Sequence, residues 1–161
     1  MKTRTQLSLA VVLLAPGLAV YLFDRPADRV YFVPDWWQPG TGGALFFGPL
    51  GASLPSFTHA VFFILITAVI LAPWHFRILP ICLLWFCFDS LFELAQHNAV
   101  AQRIAEIVPA WFQDVVLLEN TRAFLVAGTF DPRDILAIAM GSLVAYVILI
   151  RFRTVGFEND H

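Results

Sequence analysis

Asp89, Glu93 and Gln96 recur at i, i+4 and i+7, so a helix drawn through them carries all three on one face. His59 sits in a different apolar run, just after Ser53, Ser56 and Thr58. A histidine beside a carboxylate can act as a general base, the carboxylate fixing its tautomer and stabilising its charged form. His59 and Glu93 are therefore the two candidates for acid–base work. A third polar group, Thr129, Asp131, Arg133 and Asp134, opens the last apolar run. The candidate ligand pocket is thus His59, Asp89, Glu93, Gln96, Asp131, Arg133 and Asp134, with Gln96 as both donor and acceptor.

Plainer readings stand beside this one. Thr129 or Asp131 can N-cap the last helix, with Pro132 at its first position and Asp134 in the first turn against the positive helix end. His59 can be a satisfied interhelix hydrogen bond. Asp89 and Glu93 can be kept neutral, or paired to Arg133 or His59, as bundle glue. Polar contacts within membrane bundles average only about 0.6 kcal/mol, whereas a charge at the bilayer centre costs at least about 2.5–3.5 kcal/mol. Glue is a poor reason for two carboxyls on one face, so the Glu93 environment reads as functional. Metal ligation by the same groups lacks a regular ligand spacing. Cys82 and Cys87, five apart in an apolar run, read as small core residues. No metal and no cofactor are expected.

These residues need helices that cross a bilayer. The chain has 161 residues, 59% apolar and 14% charged, against about half and about a quarter in soluble domains. A membrane helix takes roughly 20 mostly apolar residues, and four runs qualify, about 7–23, 54–72, 78–96 and 135–150. The expected fold is an all-α membrane protein, one domain over 1–161, a bundle of about four transmembrane helices with loops 24–53 and 97–134 at the outer interface. Five residues, Pro73 to Arg77, make the second and third helices an antiparallel hairpin. Asp89 then lies roughly 16 Å above the inner end and Glu93 roughly 22 Å, at 1.5 Å per residue. The first run, after Lys2 and Arg4, also fits a cleavable signal peptide. Gly141 and Ala145, four apart, form a small-xxx-small pattern for close helix packing.

Lys2, Arg4, Arg77, Arg151 and Arg153 gather in two short tails and one turn, while Arg25, Arg29, Arg103, Arg122 and Arg133 are diluted over two long loops that hold most carboxylates. The denser set marks the cytoplasmic side, so both termini are expected in the cytoplasm. The loops carry Trp36, Trp37, Phe46 and Phe47 among Pro and Gly breakers, as suits the headgroup level. Val100, Ile104, Ile107 and Val108 at helical spacing predict an amphipathic helix over 99–108, lying in the interface or capping the bundle. Trp74 and His75 read as interface anchors.

The pattern of His59 before an apolar run, Glu93-x-x-Gln96 ending a hydrophobic helix, and Asp134 opening a final helix with Gly141 seven residues on resembles the VanZ-like family of small bacterial membrane proteins. On that resemblance, which covers residues 54–150, Thr129 stands at the family's Ser position, Asp134 at its Asp, and Gly141 and Ala145 at small positions. Gly128 replaces its Arg, Ile138 its Asn, and Ser56 a basic residue, and the segment after Gln96 is longer. The resemblance implies a cell-envelope role in the bacterial inner membrane.

The leading expectation is an outward polar pocket for a membrane lipid or lipid-linked precursor headgroup, more binder than enzyme. The alternatives are a lipid-modifying enzyme using His59 or Glu93, without a G-x-S-x-G nucleophile, and a small subunit docking a membrane protein partner or a second copy. A net charge of −2 argues against nucleic acid. No inverted repeat supports transport.

Overall fold

The computed structural model describes residues 3–25, 45–74, 77–115, 118 and 121–158. Within them all regular structure is helical: α1 (Thr3–Phe23), α2 (Leu54–Leu71), α3 (Ile78–Ala95), α4 (Asn98–Ile107), α5 (Thr121–Ala127) and α6 (Pro132–Glu158), with 3-10 turns at Gly48–Gly51, Ala72–Trp74 and Ala110–Asp114. Four segments, Thr3–Phe23, Leu54–Trp74, Ile78–Ala95 and Pro132–Phe152, are long and apolar enough to cross a membrane. The chain is an all-α, multi-pass membrane protein. The expected spans 54–72 and 78–96 match closely. The first and last run longer than 7–23 and 135–150, because backbone hydrogen bonding carries a helix on through flanking polar residues that apolar periodicity does not mark.

Antiparallel spans give the bundle two ends. At one, the acidic end, α1 and α3 stop while α2 and α6 start; the other, the turn end, holds the Ala72–Trp74 connection. Helix α2 is central and packs on α1, α3 and α6, while α6 also packs on α3. The core between them is Ala10, Val61, Ile64, Leu65, Ile81, Cys82, Ala145 and Leu149. Large apolar side chains such as Val12, Leu84 and Leu136 point outward, as a lipid-facing surface requires.

Small residues set the helix separations. A Cβ on Gly17 would collide with Thr58 Oγ1 and lie 3.3 Å from Pro55 Cα. A Cβ on Gly141 would lie 2.5 Å from the Phe57 carbonyl oxygen and 3.2 Å from Ala60 Cβ. Ala145 is fully buried one turn on, so the Gly141/Ala145 stripe is the face α6 lays on α2. Gly17 does the same for α1. Lipid tails are as apolar as side chains, so close packing and polar tethers must hold such helices. Two tethers span the core: Gln6 Nε2 donates to the Leu65 carbonyl at 2.8 Å, and Trp85 Nε1 donates to Thr67 Oγ1 at 2.9 Å.

Some expectations change. Cys82 is buried, but Cys87 is exposed and both are free thiols, because Cys87 falls on the outward face of α3. Helix α4 forms where the amphipathic pattern put it, yet Ala101 and Ala105 are its buried residues while Val100 and Ile107 are exposed. The reason is α5, which apolar spacing did not reveal. It packs on α4, and small residues allow that approach. Arg122 locks the pair by donating from Nε to the Ala105 carbonyl at 2.9 Å and from Nη2 to the Val108 carbonyl at 3.3 Å, which satisfies the open end of α4. Trp74 is exposed at the turn end. His75, Trp36 and Trp37 lie outside the described residues.

Gly141→Leu is expected to destabilise the protein by about 1–3 kcal/mol or more through overpacking against the Phe57 carbonyl, read from equilibrium unfolding in mixed micelles. An unchanged midpoint would mean that α2 and α6 do not meet there.

Candidate functional site

The carboxyl groups converge at the acidic end, and their roles follow from how α6 begins. Asp131 Oδ1 accepts the Arg133 backbone N–H at 2.9 Å, and the Asp134 N–H donates to the Asp131 carbonyl at 2.9 Å. Asp131 is therefore the N-cap, with Pro132 at the first position, which satisfies the orphan donors of a helix start. The backbone N–H of Asp131 itself donates to Glu93 Oε1 at 2.9 Å. A capping box uses a Glu from the same helix for this bond; here it arrives from the last turn of α3. Glu93, only 7% exposed, thus ties the end of one span to the start of another.

Asp134 is different. Its carboxyl lies beside Ser53 and Ser56, which lead into and begin α2, with Arg25 and Asp131 close by. Its Oδ1 is buried with no hydrogen-bond partner. Tyr21, near the end of α1, is within electrostatic reach of Arg25, Asp134 and Glu93. Around them Asp24 shapes the rim: Oδ1 accepts the Phe46 N–H at 2.8 Å and Oδ2 the Phe47 N–H at 2.9 Å. Arg25 Nη2 donates to the Ala52 carbonyl at 3.2 Å. The Phe23, Phe46 and Phe47 rings pack beside this turn, with centroids 6.3 and 5.1 Å apart along the series.

His59 belongs to a second arrangement, one helical turn deeper. Its Nδ1 lies 4.0 Å from Asp89 Oδ1, and its ring meets Phe63 edge-on with centroids 4.4 Å apart. The carboxyl it faces is Asp89, one of the two acids expected as its possible partners, and not Glu93, the one the acid–base reading sets beside it. On α3 the two acids are neighbours, but Asp89 meets α2 whereas Glu93 is drawn to the α6 N-cap. Asp89 is buried, and its Oδ2 has no hydrogen-bond partner.

The remaining candidates scatter. Gln96 packs its side chain on Gly128, where a Cβ would lie 2.9 Å from Gln96 Oε1, so it seats the segment before α6. Arg133 is exposed and contributes its backbone to the cap. The His97 ring faces Phe130 at 6.0 Å. Among the described residues no three His, Cys, Asp or Glu side chains are grouped to hold a metal ion.

Tyr21, Asp24 and Arg25 escaped the sequence reading. They end the first span, where Tyr and Arg pass as interface anchor and topology signal, and only folding brings α1 to the entries of α2 and α6. Together these residues offer carboxylate and hydroxyl acceptors, with a guanidinium at the rim. Such a set hydrogen-bonds hydroxyl or ammonium donors and pairs with a neighbouring phosphate. No protein-family model, curated protein or solved structure matches the chain.

Glu93→Ala should leave the Asp131 N–H without an acceptor and cost about 1–3 kcal/mol, whereas Glu93→Gln keeps Oε1 as a carbonyl and should cost under about 1 kcal/mol. Unfolding of both variants in mixed micelles checks this; equal losses would show that the bond between α3 and α6 contributes nothing.

Proposed function

We propose that this chain is a VanZ-like cell-envelope protein of the bacterial inner membrane, holding both termini in the cytoplasm and its acidic end outward. There it binds the headgroup of a membrane lipid or lipid-linked precursor. The orientation is supported by the dense cations of the turn end, Arg4, Arg77 and Arg151 among them, under the positive-inside rule.

The observation that carries the reading is the unpartnered Oδ1 of Asp134, buried between Ser53, Ser56 and the α6 start. Most buried side-chain polar atoms in folded proteins have a partner. A headgroup hydroxyl or ammonium supplies the missing donor, and Arg25 at the rim suits the adjoining phosphate. Glu93 then acts by positioning, since its bond to the Asp131 N–H fixes the α6 entry that aims Asp134.

Mass spectrometry of lipids retained in mild detergent tests this, with wild type beside Asp134→Asn and a Glu93→Gln, His59→Ala double variant. Wild type should retain a selected lipid or precursor species, and Asp134→Asn should lower that retention about tenfold, the worth of one charge-assisted hydrogen bond. Identical bulk lipids in all three, with a protein partner co-purifying, would replace the headgroup site with a subunit role.

A further inference from the structure

We propose that His59 and Asp89 form a second site, open sideways to lipid, that takes the protonated amine of a lipid-soluble amphiphile. At 1.5 Å per residue His59 lies about 8 Å along α2 from Leu54, and Asp89 about 9 Å along α3 from Ala95, so both sit at one depth below the acidic end. The His59 side chain is 55% exposed while that of Asp89 is only 8% exposed. The bundle therefore buries the acid and leaves the imidazole at the surface that faces lipid.

The pair does not satisfy itself. Its 4.0 Å separation exceeds the roughly 3.2 Å limit of a good N–H···O bond, and Asp89 Oδ2 is buried with no partner. What is missing is a donor. A cationic donor both fills that role and neutralises the carboxylate, which a hydroxyl does not; an anionic headgroup is repelled. A charge at this depth is costly unless paired, so charge complementarity selects the ammonium.

The aromatic wall adds to this. From His59 it runs through Phe63, which stacks on Trp85 with centroids 4.6 Å apart and planes 21° apart, and on to Phe88 5.5 Å from Trp85. Trp85 is fixed in place by its bond to Thr67. Ring faces within about 6 Å attract a cation, more strongly where water is absent. The exposed flank of Phe88 continues the wall along the outside of α3, where an alkyl chain can lie. The site is distinct from the headgroup cluster, since it uses the α2–α3 pair and none of the groups around Asp134.

Full-length protein in dodecyl maltoside, titrated at neutral pH with dodecylamine or with dodecanol and followed by native mass spectrometry, tests the proposal. Wild type should bind dodecylamine saturably at a site that Asp134→Asn leaves intact, and dodecanol there at least about tenfold more weakly, with Asp89→Asn lowering that amine affinity by a similar factor. Phe63→Leu, which keeps an apolar side chain and removes the ring, should weaken the amine several-fold, and it decides the matter should Asp89→Asn fail to fold. Glu106→Gln, on the exposed face of α4, should change nothing. The proposal is overturned by absence of saturable amine binding, by equal binding of dodecanol, or by amine affinity that survives both Asp89→Asn and Phe63→Leu. Loss in Asp134→Asn alone would move the amine to the acidic end and overturn it too.

Discussion

Two neighbouring helices press their backbones onto the first turns of α2, α1 through Gly17 at Thr58 and Pro55, α6 through Gly141 at Phe57 and Ala60. Everything at the acidic end depends on this approach. It brings Tyr21 and Arg25, at the end of α1, within electrostatic reach of Asp134, and it holds Asp134 beside Ser53 and Ser56. Without water or a hydrophobic driving force between helices, van der Waals contact at that distance is the main source of association. Larger side chains at 17 or 141 would part the helices and leave the carboxyls without neighbours.

The buried carboxyls fall into two kinds. Glu93 and Asp131 are satisfied, each accepting a backbone N–H at the α6 entry, and they turn a helix start into a fixed junction. Asp89 and Asp134 each keep one buried oxygen without a partner. Acids of the first kind stabilise a fold; acids of the second kind make it costly unless something else completes them. Both unsatisfied groups sit near the acidic end of the bundle, Asp134 at the α6 start and Asp89 deeper, beside His59.

The four spans were legible because a run of apolar residues of bilayer length has few other uses. The start of α6 was legible too, since Asp-Pro-x-Asp is a local signal carried by neighbouring residues, though the choice of Asp131 over Thr129 as N-cap was not. Helix α5 was not, as Thr121–Ala127 is too short for periodicity and forms by packing on α4. Which of Asp89 and Glu93 faces His59 was not legible for a related reason. Spacing on α3 places Asp89 and Glu93 on one face but says nothing of which helix each meets, and one turn of height along α3 decides between them. Arg25 and Tyr21 were hidden because the groups they meet are remote in the chain: the Ala52 carbonyl and Asp134 for Arg25, and Glu93 and Asp134 for Tyr21.

The central claim is that the ends of four spans meet in an outward-facing polar cluster, and sidedness tests it most directly. In a background with Cys82 and Cys87 replaced by alanine, a single cysteine is placed either at exposed Ala52, beside the cluster, or at exposed Arg77, at the turn end. Intact cells are then treated with a membrane-impermeant maleimide. Labelling at 52 in intact cells, and at 77 only after the membrane is permeabilised, is the predicted result. The reverse pattern would turn the cluster toward the cytoplasm and contradict an envelope headgroup site.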